Sequence, residues 1–403
     1  MWCLSIFKLD IPEMGNKLCI ILSLLFSVCN NLEAQIDSKA REKDLIDIFS
    51  DIFEKSDKKK PEVARKVSFS IIPTSSTNGG KRVFVSSINA AFVLGNKDST
   101  NFSSVFFLPY TNFSDNIGFG IKQNLFTARN IWNLPGEIRI SKLAQYTYGL
   151  GSETNEQQRV DLDYNNLRIY MNANRNVARN FFAGLGFEYD NYYNISSVVA
   201  PNGENAYTKY ESGSPNASTA LGFNFNILHD NRKNSINPAD GWFSALIYRI
   251  NPLSASAGQW TSLYLDLRKY IRIHSSSRKI IAISGFYWGT DGTVPYLNLP
   301  GTQLEFYGRS GRGYSAGRFR GKEMLYVESE YRFDISKDGF WGGVLFINAQ
   351  SLSDSNNNFT AINPAGGFGA RIKFNKTSET NLTLDFGFGK DSFGFYIGLG
   401  EFF

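Results

Sequence analysis

Cysteine is nearly absent from this 403-residue sequence: Cys3, Cys19 and Cys29 all fall within the first 29 residues. The body beyond them can hold no disulfide and no thiolate metal site. Histidine is limited to His229 and His274, which leaves little material for a polar catalytic centre or an imidazole metal cluster. No cofactor is expected. Beyond the first 30 residues, no stretch approaches the roughly 18 consecutive apolar residues that a membrane-spanning helix requires. The net charge of +5 is modest and dispersed, which excludes nucleic acid as an expected partner.

The excess lies instead in aromatic residues and glycine, with 34 Phe, 20 Tyr and 36 Gly, a mixture suited to strands and turns. Residues 1–34 read as a signal peptide. Lys17 follows Met14, an alternative start, and Leu18 to Val28 forms a short apolar run before a cleavage site near Ala34. Cys29 leaves a lipoprotein alternative open, although Val28 stands where a small residue is expected. Residues 35–65 read as a short periplasmic helix and linker, because Leu45, Ile48, Phe49, Ile52 and Phe53 share one helical face.

From residue 66 to 403 the text becomes segments of about 9–15 residues separated by Gly, Asn, Asp, Ser and Pro clusters. About sixteen such segments fit an all-β, transmembrane antiparallel barrel. In 322–333 the residues Leu325, Val327, Tyr331 and Phe333 alternate with Tyr326, Glu328, Glu330 and Arg332. Four polar side chains on one face suit a watery lumen, with the apolar row toward lipid. In 392–403 the expected outward row is Phe393, Phe395, Ile397, Leu399 and Phe403, with Gly394, Gly398 and Gly400 opposite. Gap lengths support the barrel independently. Gaps after even-numbered segments are mostly short, whereas 145–158, 192–216, 290–321 and 350–365 are long, the asymmetry expected of outer-membrane barrels.

Three stretches carry a family resemblance. The loop before the twelfth segment contains Gly311-Arg312-Gly313-Tyr314, followed by Arg318 and Arg320. It resembles the inward-folded loop of the BamA/TamA surface-antigen superfamily, whose hallmark is Arg-Gly-Phe or Arg-Gly-Tyr. The stretch from His229 to Gly241 resembles that family's periplasmic turn through Asp230, Arg232, Pro238 and Gly241. The C-terminus, with Tyr396, Gly398 and Phe403, is similar to the assembly signal of outer-membrane proteins, with Glu401 at a position usually apolar.

The resemblance implies an integral outer-membrane protein of a Gram-negative-type bacterium that assists insertion or translocation of a protein or lipid partner. Its implied neighbours are outer-membrane lipid and lipopolysaccharide, the assembly machinery and a protein client. There are departures. About 30 residues precede the barrel, too few for one client-receiving POTRA domain. In the family the loop arginine pairs with an acidic residue on the thirteenth strand, where this sequence has Asn348. Glu328 and Glu330 are therefore the expected partners of Arg312, since an arginine within a narrow lumen needs a counter-charge.

Two other functions compete. The same lumenal rows would serve a passive or plugged channel, with the arginine loop as its constriction. A hydrolase would have to use His274-Ser275-Ser276, for which no group orienting the histidine can be named. No enzymatic activity is expected.

Overall fold

The computed structural model describes residues 44–45, 67–78, 81–96, 98–197, 205–210, 216–254, 258–273, 278–305, 310–376 and 378–403, with the backbone alone at 67–89 and 91. The signal peptide, all of the 35–65 segment except Asp44 and Leu45, Arg309, and the His274–Ser276 candidate lie outside the described residues.

Sixteen strands follow one another in a single antiparallel sheet whose spatial order is the sequence order. They are β1 (Val67–Asn78), β2 (Lys81–Phe92), β3 (Ser103–Thr111), β4 (Ile117–Phe126), β5 (Trp132–Thr147), β6 (Val160–Ala178), β7 (Phe181–Ser197) and β8 (Ala217–Asp230). The second half comprises β9 (Gly241–Ser254), β10 (Trp260–Arg272), β11 (Ile280–Gly292), β12 (Glu323–Asp334), β13 (Trp341–Leu352), β14 (Asn363–Asn375), β15 (Thr380–Gly389) and β16 (Ser392–Leu399). The meander curls until β16 comes alongside β1. Among the described residues, no backbone ladder joins those two strands.

Alternation decides which face is buried, with the polarity of a water-soluble sheet inverted. On β8, Phe223, Phe225 and Ile227 are exposed on the outer face while Asn224 and Asn226 are buried inside. On β12, Leu325 and Val327 are exposed and Glu328 and Glu330 are buried. An apolar outer face with a polar interior is stable only where the outside is hydrocarbon.

The interior also corrects an expectation. The polar row of β12 does not face a watery lumen: Glu328 and Glu330 are each 1% exposed. The described residues of the loop 293–322 fold inward, and Arg312 occupies the space in front of them. A second correction concerns the closing strand. β16 ends at Leu399 rather than running to residue 403. Gly400 adopts φ +81°, and the chain then turns into the lumen. Phe403 is buried, its ring centroid 6.2 Å from that of Tyr270, instead of facing lipid. Leu399 is likewise buried. The tail leaves the ladder because Glu401 finds Arg371 and Arg332 inside, and a carboxylate facing lipid would have no partner.

Candidate functional site

Arg312 is carried into the lumen on a tight turn of the β11–β12 loop, where Gly311 (φ +62°) and Gly313 (φ +106°) take backbone conformations costly for other residues. Glycine is also required on the wall. A Cβ on Gly387 of β15 would lie 2.6 Å from the Gly313 nitrogen, so the loop backbone rests directly on that strand.

Two residues of β12 and one of β15 receive the guanidinium. Nε donates to Glu328 Oε1 at 2.9 Å and Nη1 to Asp385 Oδ2 at 2.7 Å. Nη2 bonds both Glu328 and Glu330. Phe346 of β13 and Phe402 of the tail stack on the group, with Cζ 3.6 and 4.1 Å from their ring centroids. Asn348, opposite Glu328 in the β12–β13 register, donates Nδ2 to the Arg312 carbonyl oxygen at 3.0 Å. It thus holds the loop backbone and not the charge. Burial alone would weaken the guanidinium's hold on its proton. The three carboxylates reverse this and raise its pKa well above the ordinary value.

The network extends toward the short-turn end of the barrel. Arg332 Nε donates to Glu330 at 2.7 Å, and Arg371 Nη1 donates to Asp385 at 2.5 Å. Arg371 Nε donates to Glu401 at 2.8 Å, and Arg332 lies 3.7 Å from the same carboxylate. Three guanidiniums thus alternate with four carboxylates, joining the loop tip to the tail. Burial would raise the Glu401 carboxyl, but Arg371 and Arg332 outweigh it and hold it at about 2.

The rest of the hallmark seats the loop. Tyr314 donates its hydroxyl to the Pro364 carbonyl at 2.8 Å, and Tyr396 of β16 accepts from Gly313 N at 3.0 Å. Arg318 donates to the Thr154 carbonyl at 2.7 Å. Arg320 donates to the Tyr296 carbonyl at 3.3 Å, and its own carbonyl accepts from Gly151 at 2.7 Å. Asn298, near the start of the loop, donates to Asp190 on β7 at 3.0 Å. The arrangement is a plug fixed at its tip and its outer edge.

Residues 86–403 match the Omp85 superfamily domain. The chain belongs to that superfamily. At family level this makes it an outer-membrane barrel of the assembly and translocation type. Its fold is similar to that of BamA from Haemophilus ducreyi lacking POTRA domains 1–3, at 12% identity and TM-score 0.52, covering 83% of this chain and 70% of that one. It is also similar to CdiB from Acinetobacter baumannii, at 13% identity and TM-score 0.51, covering 83% of this chain and 60% of CdiB. No curated protein matches the sequence.

In this Omp85 barrel the β8–β9 turn is a second built element. Arg232 grips Asp230 with two parallel bonds, Nε to Oδ1 at 2.9 Å and Nη2 to Oδ2 at 2.8 Å. Gly241 has φ +104°. The Pro238 carbonyl accepts from Arg332 at 3.3 Å, and the Ile236 carbonyl accepts from Glu401 N at 3.0 Å. The turn therefore reaches across the mouth of the barrel and holds the tail. Of the assembly-signal residues, Tyr396 and Gly398 face the lumen and Phe403 joins them there, its carbonyl accepting from Arg332 at 3.0 Å. His229 stacks on Phe181 at 4.5 Å between ring centroids.

Sequence reading missed Asp385, Arg371, Phe346 and Phe402. A signal for Asp385 was present. On β15 it alternates with Leu384 and Phe386, on the same face as Asn381, Thr383 and Gly387.

Proposed function

We propose that this barrel assists the insertion or translocation of a protein or lipid client at the outer membrane, by parting β1 from β16. The observation that carries this reading is the seam: neighbouring strands of an otherwise continuous sheet that no ladder joins among the described residues. Every broken ladder bond facing lipid costs free energy, so an unzipped seam is the least costly place to open. The plug supports the same reading, because a lumen crossed by the described residues of the 293–322 loop favours the wall as the route for a client. The role is non-enzymatic. The surrounding membrane supplies lipid and lipopolysaccharide as neighbours, and the assembly machinery handles the barrel itself.

The test locks the seam. One cysteine in β1 and one in β16, joined by a short bifunctional crosslinker, should abolish complementation of a depleted strain, with each single cysteine remaining active. Full complementation by the crosslinked barrel would overturn lateral opening. An outer-membrane protein and surface-lipid profile unchanged on depletion would overturn the assembly role.

A further inference from the structure

The short-turn rim pairs aromatic residues with cations. Trp132, Phe181, Trp242 and Trp341 stand at the starts of β5, β7, β9 and β13, all exposed on the outer face. Such a belt marks the level at which hydrocarbon gives way to headgroups. Cross-strand register then sets a basic side chain beside two of them. Trp132 pairs with Arg175, whose Cζ is 6.0 Å from a ring centroid, and Trp242 pairs with Lys269, whose Nζ is 4.5 Å away. Beyond the belt, Arg179, Lys233, Lys269 and Arg272 line one cleft edged by Trp242. Asparagines at 180, 231, 234 and 237 line the same cleft, together with the carboxylates Asp240 and Glu379. Asp240 already accepts from the Gly241 nitrogen at 2.7 Å. The opposite rim is mixed, with exposed Glu153, Glu156, Asp291 and Asp391 among Arg159, Lys209 and Lys390.

From this we infer that the cleft beside Trp242 binds the phosphodiester headgroup of an anionic phospholipid in the leaflet on the short-turn side. Depth selects a lipid over a free anion: Lys269 lies against the interfacial Trp242, which edges the cleft that Arg179 and Lys233 line, so acyl chains can rest on the belt while the phosphate meets those two cations. The side-chain amides of Asn234 and Asn237 donate to the Ser378 and Glu379 carbonyls and fix that edge of the cleft, while amides such as those of Asn180 and Asn231 suit phosphate oxygens, which a flat basic surface would lack. The inference rests on the membrane-spanning reading and is independent of any client.

The experiment reconstitutes the full chain in vesicles containing brominated phosphatidylglycerol or brominated phosphatidylcholine and reads quenching of tryptophan fluorescence. Quenching by both lipids reports insertion, whereas the difference between them reports the cleft. The expected result is stronger quenching by phosphatidylglycerol at low salt, weakened in 0.5 M salt, which shortens the Debye length. Each cation near an anionic surface changes lipid affinity about fivefold. Arg179→Gln with Lys233→Gln should therefore lower the preference about 25-fold, while Lys390→Gln on the opposite rim should leave it intact. Heat-modifiable gel mobility checks that each variant is folded. Equal quenching by the two lipids in the unaltered protein, or a double variant that keeps the preference, would overturn the inference. So would loss of the preference in millimolar inorganic phosphate, which would identify a free-anion site, or displacement of the lipid by polyglutamate at low micromolar concentration, which would identify an acidic polypeptide.

Discussion

Replacing Arg312 with alanine removes a cation from a pocket where Glu328, Glu330 and Asp385 all point at it and no water-exposed surface remains to it. Glu330 and Asp385 keep Arg332 and Arg371, but Glu328 is left with the Tyr326 hydroxyl. Removing one partner of a buried ion pair costs about 3–5 kcal/mol. The stacking on Phe346 and Phe402 contributes on the order of 2 kcal/mol more when desolvated, though the two effects share atoms and do not add. At 1.4 kcal/mol per factor of ten, 3 kcal/mol raises the population of the unseated loop by roughly 150-fold. The barrel wall keeps its ladders, so the loss falls on the loop and not on the fold. Hydrogen exchange and limited proteolysis of residues 293–322 measure it directly, with heat-modifiable gel mobility as the control for the barrel. Adding Glu328→Gln to Arg312→Ala should recover part of the loss, because it removes the stranded carboxylate. Arg312→Lys should not substitute, since a single ammonium cannot reach three carboxylates in a fork. A loop in Arg312→Ala as protected as in the unaltered protein would refute the idea that this pocket seats it.

Three further outcomes follow from the same geometry. Gly387→Ala should unseat the loop without altering its charges, because the new Cβ would meet the Gly313 nitrogen at 2.6 Å and the Arg312 carbonyl carbon at 3.0 Å; proteolysis of the loop reads this. Tyr396→Phe removes the hydroxyl that accepts from Gly313 and donates to Tyr314, and should loosen the loop by about 1–3 kcal/mol in exchange protection. Burial raises the Glu305 carboxyl to about 7, despite the 2.8 Å bond from Ser310. The folded loop then binds a proton that the free chain has released, so stability is fully present below the ordinary carboxyl value and is lost as pH rises toward 7. Exchange near Glu305 should be faster at pH 8 than at pH 5, and Glu305→Gln should abolish the difference.

The barrel could be read from the chain because its strands obey a period of two over long stretches, and the turns between them use Gly, Asn and Pro. β12 alternates without a break, and its charged row identified Glu328 and Glu330 as places for an arginine to go. Asp385 stood on an equally clear lumenal row, but a single carboxylate in a β-barrel interior reads as solvated. Only the three-dimensional path of the loop brings Arg312 to β15. Phe403 was misplaced for a different reason. Alternation holds only while the backbone stays in the ladder, and the chain leaves it at Gly400, where Glu401 has inward partners. The wall strands alone suggested a watery lumen; the inward turn of the loop was legible only through its resemblance to the family's loop, because the loop has no periodicity of its own.

The stack of Phe346, Arg312 and Phe402 has a mechanical consequence. The loop enters the barrel from the long-loop side and the tail from the short-turn side, and they meet at one guanidinium. Arg332, bonded to Glu330, to the Pro238 carbonyl and to the Phe403 carbonyl, ties that meeting point to the β8–β9 turn. A pull on the turn from one compartment is thus borne by a loop facing the other, with no strand having to slide. The barrel carries a tie-rod of side-chain contacts through its centre, from the long-loop side to the short-turn side.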